Sequence, residues 1–135
     1  MVTYALDSSA VLRFLENEAG AHRIEALLQS QFAGKNLIVV SALHWGEVAG
    51  YAYKTRGQTA VSPVLQRLIA MGVEIVPVTA DQAVAAAQIK LDYKIPYVDA
   101  FGAVLGSAPN HVFVTADFDL KAAAKFADIE FLPAK

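Results

Sequence analysis

Four acidic residues lie far apart in the chain, yet each stands where an apolar strand or helix would bring its carboxylate to one place. They are Asp7, Glu47, Asp99 and Asp117. Asp7 follows the run Val-Thr-Tyr-Ala-Leu, Glu47 lies in a helix after Leu-Ile-Val-Val, and Asp117 follows His-Val-Phe-Val-Thr. Four oxygen donors, without cysteine or a spaced pair of histidines, favour Mg²⁺ or Mn²⁺ over structural zinc. Such a site can generate a hydroxide nucleophile and neutralise the leaving oxygen of a phosphodiester, the tasks of a metal-dependent nuclease.

Each of three acids also has a simpler interpretation. Asp7 precedes a helix and could be its N-cap, the commoner role for Asp at that position. Glu47 could be a solvated glutamate on an amphipathic face. Of Asp117 and Asp119, one could cap the last helix while the other binds a ligand. Their spacing does not show which acid has which role.

Asp99 is the most informative of the four acids, because its predicted helix, residues 97–107, has no other charge and should be mostly buried. An ionised carboxylate is almost never buried without a partner. The alternative is that Asp99 complements the positive end of the helix dipole, which contributes about 0.3–1 kcal/mol. Gly102, Ala103 and Gly106 predict a flat helix face with space beside the carboxylate for metal, water or substrate.

The elements that must position these acids alternate along the chain. Apolar runs predict strands at residues 2–6, 37–40, 74–78, 112–114 and 129–131. Caps and apolar periodicity predict helices after Asp7, at residues 21–32 and 41–54, from Ser62-Pro63 to Gly72, after the capping box at Thr79, at 97–107 and around 120–126. This alternation predicts an α/β fold: a three-layer α/β/α sandwich with a mostly parallel central sheet, forming one domain over residues 1–135.

The composition limits the partners. The hydrophobic fraction of 56% in 135 residues exceeds the usual value of roughly 45–50%, which indicates a partner or self-association. A net charge of -2 argues against indiscriminate nucleic-acid binding. The absence of cysteine is compatible with a reducing cytoplasm. No apolar run approaches the roughly 18–20 residues that span a bilayer, so we expect a cytoplasmic protein with no membrane contact. Arg13, Lys54, Lys121 and Lys125 could contact phosphates if their helices border the acidic pocket, although ordinary solvated surface is the simpler expectation. His44 could approach substrate, although a structural role is the simpler expectation.

These segments together resemble the PIN-domain family, especially the VapC-type toxins of prokaryotic toxin-antitoxin pairs. The matching pieces are Tyr-Ala-Leu-Asp7-Ser-Ser-Ala, the central Glu47, Tyr97-Val-Asp99-Ala and Phe-Val-Thr115-Ala-Asp117. The likeness spans nearly the whole chain. Each motif is weak alone, but their order and separation are fairly specific. One departure is Ser9, which stands where many relatives have Asn.

The resemblance implies a site and an activity. Asp7, Glu47, Asp99 and Asp117 would be the catalytic and metal-binding acids, Ser8 and Thr115 would support ligands or water, and Asp119 would be auxiliary. The family implies an endoribonuclease, dependent on Mg²⁺ or Mn²⁺, that cleaves RNA with water and leaves a 3′-hydroxyl and a 5′-phosphate. It also implies a homodimer and inhibition by a VapB-like antitoxin.

Two alternatives remain open at the level of the sequence. One is a PIN-family nuclease of RNA processing, which would lack a neighbouring antitoxin gene. The other is a catalytically silent PIN-like module that binds a basic partner through its acidic pocket, and it would give no metal-dependent RNA product. The presence of all four acids favours the nuclease.

Overall fold

The structure is a computed structural model, and it describes all of residues 1–135. Five strands form one sheet, and helices fill the connections between them. The strands are β1 (Val2–Leu6), β2 (Asn36–Ser41), β3 (Glu74–Val76), β4 (His111–Thr115) and β5 (Ile129–Phe131). The helices are α1 (Ser8–Leu15), α2 (Ala21–Phe32), α3 (Ala42–Arg56), α4 (Gln58–Ala70), α5 (Ala80–Tyr93) and α6 (Tyr97–Gly106), followed by a 3-10 helix (Phe118–Lys125).

The order of the strands determines where a ligand can bind. All neighbouring strands are parallel, in the order β3-β2-β1-β4-β5. The chain runs outward from β1 to β2 and β3, and then crosses back to place β4 on the other side of β1. In open parallel sheets, ligands bind at the carboxyl ends of the strands where the order reverses. The carboxyl ends of β1 and β4 are therefore the expected place for a site.

The helices cover both faces of the sheet, which confirms the predicted three-layer α/β/α fold. One buried cluster packs α1, α2, α3 and α4 against β1 and β2 through residues such as Ile24, Ile38 and Val48. A second cluster packs α5, α6 and the 3-10 helix on the opposite face, around Phe101 and Phe113. The sheet is entirely parallel, and burial of its strands on two sides explains their continuous apolar runs.

The glycines of α6 serve close packing, so the predicted space beside Asp99 is wrong. A Cβ added to Gly102 would lie 2.2 Å from the ring of Phe113, and one added to Gly106 would lie 2.9 Å from the carbonyl oxygen of Asp128. Both glycines are buried. The flat face of α6 therefore lies directly on β4, and Phe113 fills the room that the small residues provide.

Two predicted boundaries also differ from the structure. The helix α4 begins at Gln58, not at Ser62-Pro63, because Gly57 with φ 88° ends α3 and starts the next helix at once. Pro63 lies inside α4, where it removes one hydrogen bond close to the helix start, and the helix continues past it. The strand β3 ends at Val76, because the following Pro77 has no N–H to donate to the sheet.

No helix in the chain is long and apolar enough to cross a membrane.

Candidate active site

Asp7 is the buried centre of a hydrogen-bond network at the carboxyl end of β1. One oxygen, Oδ1, accepts from the backbone N–H of Ala10 at 2.8 Å and from the hydroxyl of Ser9 at 2.6 Å. The other, Oδ2, accepts from the hydroxyl of Thr115, which ends β4. Asp7 therefore does cap α1, as its simpler interpretation predicted, and the same carboxylate joins the ends of two neighbouring strands.

Ser9 and Thr115 extend this network into the loop after β4. The Ser9 hydroxyl accepts from the N–H of Ala116 at 2.9 Å, and the Thr115 hydroxyl accepts from the N–H of Asp117 at 2.9 Å. These bonds hold the backbone before Asp117 against the end of β1. Ser9 was left out of the predicted site, and its contact with Asp7 shows that it belongs to the network. Its position two residues after Asp7, in a helix-capping turn, was the available signal.

Asp117 faces the site while it also caps the 3-10 helix. Its Oδ1 accepts from the N–H of Asp119 at 2.9 Å, which is the capping role that one of the two acids was expected to take. Asp119 is exposed. Of these two acids, it is Asp117 whose charge acts on Asp99 and on Asp7. Asp117 thus caps the 3-10 helix, and of the two acids it is the one within electrostatic range of Asp99 and Asp7.

Glu47 reaches the site from α3 and is exposed at its edge. The hydroxyl of Ser8 donates to Oε1 of Glu47 at 2.9 Å, which connects the start of α1 with α3. The charge of Glu47 also acts on Asp99, although less strongly than the charges of Asp117 and Asp7. The two predicted supporting hydroxyls, Ser8 and Thr115, therefore each contact one of the four acids.

Asp99 lies in the first turn of α6 and carries the clearest electrostatic signature of the site. Burial raises the pKa of Asp99 to about 7, and the negative charges of Asp117, Asp7 and Glu47 contribute to the same rise. Burial also raises the pKa of Asp7, while its hydrogen bonds from Ser9, Thr115 and Ala10 act in the opposite direction. The structure thus brings all four predicted acids into one electrostatic group.

This acidic group has no cationic side chain to balance it. The three salt bridges of the chain are Arg23–Glu130, Arg56–Glu16 and Lys135–Glu18, and none includes one of the four acids. No three carboxylate or imidazole groups converge closely enough to form a ready-made cation site. Among the four carboxylates, Asp99 and Asp117 lie within side-chain hydrogen-bonding range of each other, whereas Asp7 and Glu47 act on Asp99 through their charge. Their chemistry, hard oxygen donors with excess negative charge, fits a small divalent cation.

Two residues that could have contacted substrate are buried and contact other parts of the protein instead. Arg13 is buried and donates to the carbonyl oxygens of Ala19 and Pro133, both at 2.7 Å, so it does not serve as a phosphate ligand here. His44 is fully buried, with Nδ1 2.7 Å from the hydroxyl of Ser41. Burial lowers the pKa of His44, which disfavours a charged ring at this position.

The fold and the site define an α/β sandwich protein with a cluster of carboxylates at the reversal of its strand order. The family model described as PIN domain matches residues 4–126, and the chain belongs to the PIN domain family. The resemblance seen in the motifs is thereby confirmed. No curated protein matches the sequence significantly.

Solved structures with the same fold include several VapC and VapBC proteins. VapBC2 from Rickettsia felis, in a structure bound to a DNA fragment from its promoter, is 17% identical, with a TM-score of 0.76 over 98% of this chain and 100% of that one. VapC20 from Mycobacterium tuberculosis, described as a Sarcin-Ricin loop cleaving toxin, is 18% identical, with a TM-score of 0.67 over 96% and 99%. PAE2754 from Pyrobaculum aerophilum is 19% identical, with a TM-score of 0.67 over 95% and 89%. At these identities the likeness establishes the fold.

Proposed function

We propose that this PIN-domain protein is a metal-dependent endoribonuclease, the VapC-type toxin of a toxin-antitoxin pair. One observation carries the proposal: four carboxylates form a single electrostatic group with no Lys or Arg to balance it. Groups buried at such a cost are characteristic of functional sites. Membership of the PIN family and the likeness to VapC and VapBC structures support the nuclease over other uses of the site.

The residues that would hold the cation are Asp7, Glu47, Asp99 and Asp117. Bound Mg²⁺ or Mn²⁺ would supply an activated water and neutralise charge on the leaving oxygen of a phosphodiester. Asp7 has about four acceptor positions on its two oxygens, and three hydrogen bonds occupy three of them, so one is left for a ligand. Because no three acids converge as they stand, joint coordination requires side-chain rotation, most freely at the exposed Glu47.

The residues around the acids have separate tasks. Ser9 and Thr115 donate to Asp7 and keep its buried carboxylate oriented, and Ser8 orients Glu47. Asp99, with its pKa of about 7, takes up a proton near neutral pH in the absence of a cation and thereby limits repulsion within the group. Asp119 is auxiliary: its N–H holds Asp117, and its own side chain is exposed.

The substrate and partners follow from the same proposal. The site would hydrolyse RNA with water and leave a 3′-hydroxyl and a 5′-phosphate, and it would act in the cytoplasm. A VapB-like antitoxin and a second copy of the chain are the proposed partners. The likeness to VapBC structures supports the antitoxin. Exposed apolar side chains, among them Tyr53 at 60%, Val84 at 61% and Leu91 at 74%, provide surface that a partner could cover.

The test is RNA cleavage by the purified chain, freed of any antitoxin, with Mn²⁺, with Mg²⁺ and with a chelator. The native chain should cleave only with metal, and the ends should carry a 3′-hydroxyl and a 5′-phosphate. Asp7→Asn or Asp99→Asn should lower the rate at least about 100-fold, since each removes charge from the metal site. Asp92→Asn, which removes an exposed carboxylate from α5, is the matched control and should retain full activity. Undiminished cleavage by a folded Asp99→Asn variant would contradict the site.

A second candidate, the catalytically silent PIN-like binding module, has one observation in its favour. No three acids converge into a ready-made cation site. In that case the acidic group would bind a basic partner directly. The absence of metal-dependent RNA products under every condition, together with partner binding that is lost in Asp7→Asn, would favour this module over the nuclease.

A further inference from the structure

An exposed aromatic side chain stands directly beside the acidic group. Phe118 follows Asp117 in the chain, and 38% of it is exposed to solvent. Its ring stacks on that of Phe131, with ring centroids 5.7 Å apart and an interplanar angle of 16°. Phe131 packs against one face of the ring, so Phe118 is a supported, partly exposed aromatic side chain that directly follows Asp117 in the chain.

The register of the sheet gives the position of this aromatic pair. Phe131 ends β5 and pairs with Thr115 at the end of β4. Neighbouring strands lie about 4.8 Å apart. Since the hydroxyl of Thr115 donates to the buried carboxylate of Asp7, the aromatic pair lies one strand away from the centre of the acidic network. Phe131 packs with the cluster that includes α6, so the pair is on the face that carries Asp99.

A lysine accompanies the aromatic surface. The Nζ atom of Lys121 lies 5.4 Å from the centroid of the Phe118 ring, and the residue is exposed. Lys121 takes part in none of the three salt bridges, so its charge is available. Arg13, by contrast, is committed to backbone carbonyls. An aromatic ring with an adjacent free cation is the combination by which proteins bind unpaired nucleotides.

We propose that Phe118 and Lys121 form a nucleotide subsite for single-stranded RNA next to the scissile phosphate, an inference that rests on the proposed nuclease function. Phe118 stacks on one unpaired base, and Lys121 moves from the ring to a neighbouring backbone phosphate. The chain has a net charge of -2 and an acidic centre that repels phosphates, so stacking supplies an attraction that charge alone does not. The subsite selects for RNA whose bases are free to leave a helix.

The alternative role for Phe118 is to cover the edge strand β5. In that role its replacement would lower the stability of the fold and leave RNA affinity unchanged. Phe126 provides the matched control: it lies at the end of the same 3-10 helix, is also 38% exposed, and contacts another aromatic, Tyr93, at a centroid distance of 4.8 Å. Lys35 is the control for Lys121, because it is exposed and directly precedes β2. It therefore lies at the amino ends of the strands, whereas the acids lie at the carboxyl ends.

The experiment measures binding of a fluorescein-labelled single-stranded RNA hexamer by anisotropy, with Ca²⁺ present and Asp99→Asn included in every variant to prevent cleavage. Adding Phe118→Leu should weaken binding about 10-fold, whereas Phe118→Trp should preserve it. Lys121→Gln should weaken binding about threefold and lower the slope of log affinity against log salt by about 0.7. Phe126→Leu and Lys35→Gln should have no effect. Equal affinities for Phe118→Leu and Phe126→Leu, or no RNA binding at all, would overturn the subsite.

A second arm separates failure of the subsite from failure of the proposed function. With Asp99 restored and Mn²⁺ added, Phe118→Leu should raise KM for the hexamer about 10-fold and leave kcat within about twofold, because the ring contacts the substrate away from the reacting phosphate. If the native chain cleaves nothing while Phe118→Leu still weakens binding, the nuclease proposal fails and the subsite stands. If cleavage proceeds and KM is unchanged, the subsite fails and the nuclease stands.

Discussion

Asp7 is an almost fully buried carboxylate, 3% exposed, that is held by neutral donors alone. Hydrogen bonds offset part of the cost of burying a charge, but they leave the charge itself uncompensated. Two further acids, Asp117 and Asp99, lie close enough to raise that cost. The buried acids of the site therefore lower the stability of the fold, as is common at functional sites.

The convergence of the acids could be predicted from the sequence, whereas the contacts around them could not. Asp7 and Asp117 each follow an apolar strand, and parallel strands bring their carboxyl ends together. The bond from Ser9 to Asp7 and the position of Phe118 on Phe131 depend on side-chain directions in turns, which have no sequence period to reveal them. Residue types alone therefore did not show that Ser9 contacts Asp7, and they gave no reason to single out Phe118.

Asp99→Asn should stabilise the fold in a chelator-containing buffer, and the gain should grow with pH. The pKa of Asp99 is about 7 in the folded chain, above the ordinary value of 3.8 for an aspartate, so the folded state binds its proton more tightly. The native chain therefore loses this contribution as the pH rises from about 4 through 7. After allowance for partial exposure, the variant should gain about 1–2 kcal/mol at pH 8 and almost nothing at pH 4. Urea unfolding at both pH values measures the difference.

Asp119→Asn is the control for that experiment, because it removes an exposed carboxylate from the 3-10 helix that follows Asp117. Its free energy of unfolding should follow that of the native chain at both pH values. A gain for Asp99→Asn that is equal at pH 4 and pH 8 would show that the stabilisation has a cause other than ionisation.

At the scale of elements, the contact between α6 and β4 controls how Asp99 reaches the site. The two elements approach closely because neither glycine has a side chain: Gly102 leaves room for the ring of Phe113, and Gly106 leaves room for the backbone of Asp128. The strands and most helices could be predicted, since apolar runs and caps mark them. The side of α6 that meets β4 could not be predicted, because small residues suit close packing and an open pocket equally well. The start of α4 differs from the predicted one because Ser62-Pro63 resembles a helix start, whereas Gly57 both ends α3 and begins α4.

Gly102→Ala should destabilise the chain, although alanine is the better helix former. The added Cβ would lie 2.2 Å from the ring of Phe113, which is buried and has no room to move away. Such overpacking typically costs about 1–3 kcal/mol, and it should displace the start of α6 and lower RNA cleavage as well. Thermal or urea unfolding, together with the cleavage assay, measures both effects.

Gly50→Ala is the matched control, since Gly50 lies within α3, is exposed and has no atom within 4 Å of the added Cβ. It should stabilise the chain by up to about 1 kcal/mol, the usual gain for this change in a helix interior. If Gly102→Ala gave the same gain, the close contact of α6 with β4 would be wrong.

At the scale of the whole molecule, the sheet order β3-β2-β1-β4-β5 determines where the acids meet. The alternation of strands and helices predicted the layers, but strand order is a long-range property with no local signal in the sequence. This order places β1 beside β4 and thereby brings Asp7 next to the loop that carries Asp117. The family resemblance implied that the four acids form one site, but neither it nor the residue pattern predicted the strand order.

Divalent cations should stabilise the whole chain, because they bind the folded site and relieve its repulsion. At a concentration about 100 times the dissociation constant, Mn²⁺ should add about 2.7 kcal/mol to the free energy of unfolding, or about 5–10 °C in Tm. Chelator should reverse the shift. Asp7→Asn and Asp99→Asn should lose most of it, whereas Asp92→Asn should keep it. Absence of a shift for the native chain at millimolar Mn²⁺ would contradict the metal site, whatever the cleavage assay shows.

The bond between Thr115 and Asp7 spans 108 positions of the chain and has a consequence for biosynthesis. A ribosome releases the segment with Asp7 before the segments with β4 and Asp117, which lie more than 100 positions further along the chain, at about 5–20 residues per second. Until β4 pairs with β1, Asp7 has no Thr115 hydroxyl and no Asp117 beside it. A nascent or prematurely terminated chain therefore carries no complete acidic site. In the proposed nuclease, RNA cleavage would therefore have to wait until β4 and the loop with Asp117 have been synthesised and have paired with β1.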